Sequence, residues 1–115
     1  MPTPADFFAI EIRVGTVVRA LPFPEARKPM IKMEIDFGAE LGLRKSSAQV
    51  TTHYTPEQLV GRQVAAVTNI GTRRVGTWDS ECLVLGALPE PPKGPGMEVV
   101  LLNLDQPVPN GTRIG

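Results

Sequence analysis

A two-residue alternation of apolar and polar side chains is the feature of this sequence that most narrows its possible folds. It is clearest over residues 30–37, where every second side chain is apolar: Ile31, Met33, Ile35 and Phe37. Residues 13–20 alternate in a similar way, with one side formed by Val14, Thr16, Val18 and Ala20. Alternation with this period predicts β-strands that have one buried and one solvent-facing side.

Further apolar runs and turn residues extend this prediction along the chain. We predict additional strands at Gly42–Val50, Gln63–Thr68, Glu81–Leu88 and Glu98–Leu102. The Cys82–Leu88 run is apolar almost throughout, as is typical of a central strand covered on both faces. Two short helices are predicted at Pro4–Ile10 and Pro56–Val60, the second with Thr55 as its N-cap and Gly61 at its end.

This arrangement predicts an all-β fold. Five or six strands with one short helix between the third and the fourth is the layout of an OB-fold, a small five-stranded Greek-key barrel whose faces and loops bind oligonucleotides. A chain of 115 residues builds one compact domain, so the domain is predicted to span residues 1–115. Pro89–Gly96 reads as a stiff surface loop within it. The prolines of Pro107–Ile114 place that tail at a sheet edge or an interface.

The content of reactive side chains argues against an enzyme or a metalloprotein. The single cysteine, Cys82, excludes an intrachain disulfide and a multi-cysteine metal site. The single histidine, His53, lies in no nucleophile motif, and the glycines of Gly71–Thr77 lack the lysine of a phosphate-binding loop. We therefore predict no catalysis, no cofactor and no metal. With no signal-peptide pattern and no long apolar run, the protein is predicted to be cytoplasmic and not membrane-inserted.

Charge is distributed unevenly along the chain. The formal net charge is zero, yet residues 13–74 hold ten basic and five acidic residues. Such segregation permits a basic patch, although it also fits an ordinary solvated face.

Several segments resemble the tRNA-binding domain family, which includes domains appended to aminoacyl-tRNA synthetases and free-standing proteins. The matching segments, in chain order, are Ile10–Val18, Phe23–Arg27, Ile35–Gly38, Arg44–Val50, Asn69 through Leu83, and Pro107–Gly115. The resemblance implies an OB-fold homodimer that binds tRNA, with its N-terminal helix and C-terminal tail at the dimer interface. The length and the Ser46–Gln49 run are similar to free-standing members that are export-related chaperones. Cys82 stands where the wider family usually has methionine, and a buried cysteine is a reasonable small apolar substitute.

Two polar segments supply candidate binding residues. Lys45, Ser47 and Gln49 lie at every second position of a predicted strand, so they project from one face, where they suit phosphates, base edges or peptide carbonyls. An exposed polar strand face is the alternative. In the loop Asn69–Trp78, Arg73 and Arg74 suit phosphate contacts or simply solubilise a hairpin tip. Trp78 offers a stacking face or caps the core.

Other residues extend this candidate surface. Arg13 and Arg19 are predicted to share the outward face of the first strand, with Gly15 leaving the backbone accessible between them. Phe23 and Met30 are candidate apolar positions for an unfolded polypeptide. The complete predicted RNA- or peptide-binding set is Arg13, Lys45, Ser47, Gln49, Asn69, Arg73, Arg74, Trp78 and Ser80.

The sequence thus predicts a non-enzymatic binding protein with two candidate roles. By resemblance, it is a tRNA-binding homodimer that also holds unfolded preproteins or peptides before export. The alternative is a purely RNA-binding module without a chaperone role. Charge reversal at Lys45 and Arg73 is expected to distinguish the two.

Overall fold

The computed structural model describes residues 1–89 and 99–115, which fold around one antiparallel sheet. The predicted loop Pro89–Gly96 and the start of the predicted strand Glu98–Leu102 lie outside the described residues, except for Pro89. The helices are α1 (Pro4–Ala9), α2 (Gly38–Leu41) and α3 (Pro56–Leu59). The strands are β1 (Ile12–Pro22), β2 (Ile31–Asp36), β3 (Leu43–Ala48), β4 (Gln63–Val67), β5 (Arg73–Val75), β6 (Trp78–Ser80), β7 (Leu83–Val84), β8 (Gly86–Ala87), β9 (Val100–Leu101) and β10 (Arg113–Ile114).

The sheet curls until its two edge strands meet. Its order is β3-β2-β1-β4-β7, and β10 adds to the start of β1. Hydrogen bonds join the edges, with the Ser46 hydroxyl donating to the Cys82 carbonyl at 2.8 Å and the Glu81 amide donating to the Lys45 carbonyl at 2.7 Å. The result is a nearly closed barrel with a few short helices, which confirms the predicted all-β OB-type fold.

The barrel core is built by the alternating strand that the sequence indicated. Ile31, Met33 and Ile35 of β2 are buried, as is Phe37 just after it, while Lys32, Glu34 and Asp36 alternate with them on the outer side. Val17, Leu59 and Val64 belong to the same cluster. Burial of these side chains is the main favourable term that holds the strands in this register.

β1 departs from simple alternation because it contains a β-bulge. Its pairing with β2 shifts register between Val17 and Arg19, so Val17 is fully buried whereas Val18 is 46% exposed. The prediction that Val14, Thr16, Val18 and Ala20 form one regular side is therefore wrong. The bulge also turns Arg19 away from the side that carries Arg13, so the prediction that these two arginines share one face is wrong as well.

Gly15 serves packing rather than backbone access. A Cβ at this position would lie 2.6 Å from Ile35 Cγ2 and 2.7 Å from Phe37 Cδ1. The residue is buried, which corrects the prediction that it leaves the backbone open to a ligand. Absence of a side chain is what lets β1 lie close over β2 at this point.

The predicted strand Glu81–Leu88 is wrong both in extent and in position. It divides into β7, at the edge of the main sheet, and β8, which pairs with β9. Leu83 and Leu88 are 48% and 57% exposed, so this run is not a central strand covered on both faces. An apolar run alone does not distinguish a buried strand from an edge strand that carries an exposed apolar surface.

The local signals were more reliable for the helices and the tail. Thr3 with Asp6 and Thr55 with Gln58 form capping boxes at α1 and α3, which confirms both predicted helices. The tail lies along β1 at the sheet edge, as its prolines indicated. The short α2 was not predicted, and a hairpin at β5–β6 was predicted only as an alternative for the Asn69–Trp78 loop. Among the described residues, no helix is long and apolar enough to cross a membrane.

Candidate functional site

The outer face of the β2–β3 pair carries a row of polar side chains. Lys32 pairs with Ser47 and Glu34 pairs with Lys45, so these four side chains share the side opposite the core. Ser46, between Lys45 and Ser47, points inward and is fully buried. This register confirms that Lys45 and Ser47 project together. Gln49 lies just beyond the end of β3.

The β5–β6 hairpin packs beside this face and brings the only tryptophan of the chain to it. The indole N–H of Trp78 donates a hydrogen bond to the Ser46 carbonyl at 2.9 Å. The ammonium groups of Lys45 and Lys32 lie 5.0 and 5.1 Å from the centre of the indole ring. Trp78 is half-buried, so it neither caps the core completely nor stands free in solvent.

The two hairpin arginines differ in what they contact. Arg74 donates to Asp79 at 2.9 Å and to the Gly76 carbonyl at 3.2 Å, so its guanidinium stabilises the hairpin itself. Arg73 is exposed and forms no ion pair within residues 1–89 and 99–115. Of the two, Arg73 has its charge available for a ligand.

A cleft of about 530 Å³ opens between the end of β3 and the β7–β8 edge. Its polar and charged lining residues include Thr72 and four of the predicted residues, Ser47, Gln49, Arg73 and Ser80. Its apolar lining includes Met30, Ile70, Leu83, Leu85, Leu88 and Val99. The structure thus brings four predicted residues into the lining of one cleft, and it places two more, Lys45 and Trp78, next to each other beside Ser47.

Other predicted residues already have structural partners. Asn69 accepts from the Glu11 amide and donates to the Ala9 carbonyl, both at 2.8 Å, and so fastens the end of α1 to the barrel. Arg13 pairs with Glu11 at 2.8 Å and donates to the Gly111 carbonyl at 2.9 Å. Neither side chain lines the cleft.

The structure also assigns residues that sequence reasoning ranked low or missed. Phe23, a candidate exposed apolar position, is 3% exposed and lies beneath the Lys32 ammonium, 5.1 Å from it, so that expectation is wrong. Met30 does line the cleft, as do Ile70 and Leu83, which were not singled out. Strand alternation in the sequence was enough to place Lys32 on the outer face of β2, beside the candidate site. The place of Ile70 in the cleft lining depends instead on how the hairpin folds, which the sequence does not indicate.

Cys82 is among the residues that line the cleft, but its buried thiol is poorly suited to act as a nucleophile or a metal ligand. Burial raises its pKa to about 11, from an ordinary 9.0, because desolvation disfavours the thiolate. In the part of the chain that the structure describes, no group of three or more His, Cys, Asp or Glu side chains could hold a metal ion.

We expect native Cys82 to resist thiol reagents at pH 8. The raised pKa lowers the thiolate fraction about 100-fold relative to the unfolded chain, and burial slows access further. Reaction with a disulfide reagent, followed spectrophotometrically, is expected to be at least about 100-fold slower in native protein than in denaturant. Comparable rates would contradict the buried thiol. The neutral thiol also contributes stability below pH 9, which is lost as pH rises toward about 11.

The comparisons with known proteins cover the whole barrel. A family described as "Putative tRNA binding domain" matches residues 12–113. The chain is 39% identical over 82 residues to methionine–tRNA ligase of Porphyromonas gingivalis and 32% identical over 109 residues to that of Bacillus subtilis. These matches cover 71% and 95% of this chain, and the chain spans only 12% and 15% of the length of those relatives.

Two solved structures match along their full lengths. The chaperone CsaA of Bacillus anthracis superposes with a TM-score of 0.90 at 48% identity, covering 100% of this chain and 99% of that one. The CsaA chaperone of Picrophilus torridus gives a TM-score of 0.87 at 38% identity, with 100% of both chains covered. A methionyl-tRNA-synthetase-related protein of Pyrococcus horikoshii, at 24% identity and a TM-score of 0.85 over 100% of this chain and 98% of that one, shares the fold.

Proposed function

This chain belongs to the tRNA-binding domain family, and from that premise we propose that it binds tRNA through the outer face of β2–β3 and the β5–β6 hairpin. One observation carries the proposal: Arg73 lines the cleft, Lys45 lies beside it on β3 against Trp78 of the hairpin, and neither charged side-chain group forms an ion pair among the described residues. A cation without an internal partner can pair with a phosphate without first breaking an ion pair. Ser47 and Gln49, which line the same cleft as Arg73, add hydrogen-bonding groups for sugars or base edges.

The position of this surface on the barrel supports the same proposal. OB-folds bind oligonucleotides on the face of their second and third strands, flanked by the loops that follow the first and fourth strands. Here those loops are residues 23–30, which contribute Met30, and residues 68–82, which contribute the hairpin. Lys45 and Ser47 lie between them on β3.

We further propose that the protein acts as a homodimer. Phe7, Phe8 and Ile10 on and next to α1 are 44%, 57% and 45% exposed, an unusual apolar density for one short helix. Arg113 donates to the Phe8 carbonyl at 2.9 Å, so α1 and the C-terminal tail present one continuous surface. Two copies of the RNA-binding face would strengthen binding by a chain whose own net charge is zero.

A second candidate function is the holding of unfolded preproteins before export, carried out in the cytoplasm and without catalysis. The apolar lining of the cleft supports it, because Met30, Ile70 and Leu83 offer contacts to apolar side chains beside hydrogen-bonding groups. The similarity to the two CsaA chaperone structures points the same way. The alternative is a purely RNA-binding module, in which this cleft has no polypeptide ligand.

Fluorescence anisotropy of labelled tRNA, repeated over a salt series, tests the primary proposal. Lys45 and Arg73 in each protomer imply about four neutralised phosphates per dimer, so log affinity is expected to fall linearly with log salt with a slope of about −3 to −4. Sedimentation equilibrium of the same sample is expected to give twice the 12.4 kDa of one chain. Absence of tRNA binding at physiological salt would overturn the RNA proposal and leave polypeptide holding as the better-supported function.

A further inference from the structure

Two lysine ammonium groups of the protein itself lie against the indole ring of Trp78. Lys45 and Lys32 place their ammonium groups 5.0 and 5.1 Å from the ring centre. Attraction between an ammonium and the negative face of an aromatic ring is strongest for tryptophan. This ring is therefore not a vacant platform of the kind that binds bases by stacking.

The two lysines differ in how far the protein neutralises them. Lys32 is paired with Glu25 at 3.4 Å, lies 5.1 Å from the Phe23 ring as well, and has a side chain that is only 17% exposed. Lys45 has no ion pair or side-chain hydrogen bond within the described ranges, 1–89 and 99–115. The ring therefore holds one neutralised cation and one whose charge is available.

Trp78 itself is held firmly against the strand that carries Lys45. Its N–H donates to the carbonyl of Ser46, the residue after Lys45, and its strand pairs with β5 through Val75. A ring fixed in this way limits the conformations of the long Lys45 side chain. Ordering a flexible lysine normally opposes ligand binding, and a side chain ordered beforehand loses less on binding.

The remaining aromatic residues offer no alternative stacking surface beside the cleft in the described part of the chain. Phe23 and Phe37 are buried. The Tyr54 hydroxyl accepts a hydrogen bond from the Leu101 amide, and Arg62 lies over the Tyr54 ring. Phe7 and Phe8 pack edge to face on α1 and do not line the cleft.

We propose that Trp78 is a positioning residue that holds the Lys45 ammonium in place for an RNA phosphate and does not stack on bases. The inference rests on the proposed RNA-binding function and specifies which part of the RNA is recognised, namely its phosphates. RNA is bound at this face through the spacing of its phosphates, so a folded RNA with fixed phosphates is favoured over an unstructured single strand of equal length.

The experiment compares Trp78→Leu, Trp78→Phe, Lys45→Gln and the double variant Lys45→Gln/Trp78→Leu in tRNA titrations over a salt series. We expect Trp78→Leu to weaken binding about 5- to 10-fold and Lys45→Gln to weaken it at least about 10-fold, and each to reduce the salt slope by about one phosphate per protomer. The double variant is expected to bind no more weakly than Lys45→Gln alone. Trp78→Phe keeps a ring and is expected to recover part of the affinity.

Base stacking would give the opposite pattern. The Trp78→Leu loss would then persist in the Lys45→Gln background, the salt slope would be unchanged, and unstructured oligouridine would quench the emission of Trp78, the only tryptophan. Any of these results overturns the inference. Lys45→Gln and Trp78→Phe keep the test decisive if Trp78→Leu fails to fold.

A measurement without RNA separates this inference from the proposed function. In the free protein, the ring current of Trp78 is expected to shift the Lys45 side-chain NMR signals upfield, and inorganic tripolyphosphate is expected to perturb them. If tRNA does not bind but tripolyphosphate binds in a Trp78-dependent manner, the RNA function fails and the positioning role is supported. Unshifted Lys45 signals in the free protein overturn the positioning role, whether or not tRNA binds.

Discussion

Replacement of Lys45 and Arg73 together by glutamate is expected to lower tRNA affinity at least about 100-fold at moderate salt. Each substitution removes a charge-assisted contact of about 1.5 to 3 kcal/mol, and 1.4 kcal/mol corresponds to a tenfold change in affinity. Each glutamate also repels the nearby phosphate, so the loss exceeds that from neutral substitutions. Neither side chain forms an ion pair among the described residues, and the contact of Lys45 with Trp78 lies on the outside of the barrel, so the barrel is expected to remain folded.

A matched control separates local contacts from overall charge. Arg27→Glu combined with Lys28→Glu makes the same change in net charge at two exposed residues of the loop between β1 and β2. This loop reaches the proposed face through Met30, whereas Arg27 and Lys28 do not line the cleft. Anisotropy titrations of both double variants are expected to show a far smaller loss for this control. Equal losses would mean that tRNA responds to net charge and not to the β3–hairpin face.

The same variant distinguishes the two proposed functions. Suppression of aggregation of an unfolded model protein is expected to persist in Lys45→Glu/Arg73→Glu, because the apolar lining at Met30, Ile70 and Leu83 is unchanged. Loss of RNA binding with retained holding activity would support separate determinants on one surface. Parallel loss of both activities would contradict that separation.

Much of the fold follows from local patterns because those patterns have local causes. The alternation over residues 30–37 reflects a strand between core and solvent, and Thr55, Pro56 and Gln58 begin α3 wherever the chain places it. The bulge after Val17 and the edge position of Leu83 depend instead on how distant strands pair. No pattern within one segment contains that information.

The candidate site, like the fold, was predictable where the cause is local and not where it depends on contacts between distant segments. The common face of Lys45 and Ser47 follows from strand geometry, and the register with β2 confirms it. Arg73 and Arg74 look equivalent in sequence, and only the folded hairpin shows that Asp79 pairs with one of them. Asn69 matches the family pattern, yet its amide bonds fasten α1 to the barrel, 60 residues earlier in the chain.

In the C-terminal tail, a glycine with a positive φ, Gly111, lets the turn pack against strands that are distant in sequence. Gly111 has φ +92°, its amide donates to the Val14 carbonyl at 2.7 Å, and a Cβ there would lie 2.7 Å from the Phe37 carbonyl oxygen. Gln63 of β4 donates to the Val108 carbonyl and accepts from the Val108 amide, which fixes the approach to the turn. The tail thereby covers β1 and contacts the start of α2 through Gly38.

Gly111→Ala is therefore expected to destabilise the protein strongly. A positive φ costs a non-glycine residue about 1 to 2 kcal/mol, and a clash with backbone adds about 1 to 2 kcal/mol, for a total of about 2 to 4 kcal/mol. For a domain of this size the midpoint of thermal unfolding should fall by about 10 to 20 °C. Calorimetry at matched protein concentration measures the change, since dimerisation would make the midpoint concentration-dependent.

Gly61→Ala is the control, because Gly61 has nearly the same φ of +89° but nothing within 4 Å of the point where a Cβ would lie. It should show the conformational cost alone, about 1 to 2 kcal/mol, with a correspondingly smaller fall in the midpoint. The difference between the two variants measures the steric contact of the Asn110–Gly111 turn with the Phe37 carbonyl. If Gly111→Ala is no less stable than Gly61→Ala, the turn does not dock closely against the barrel, and the tail is free to make its main contacts with a second protomer.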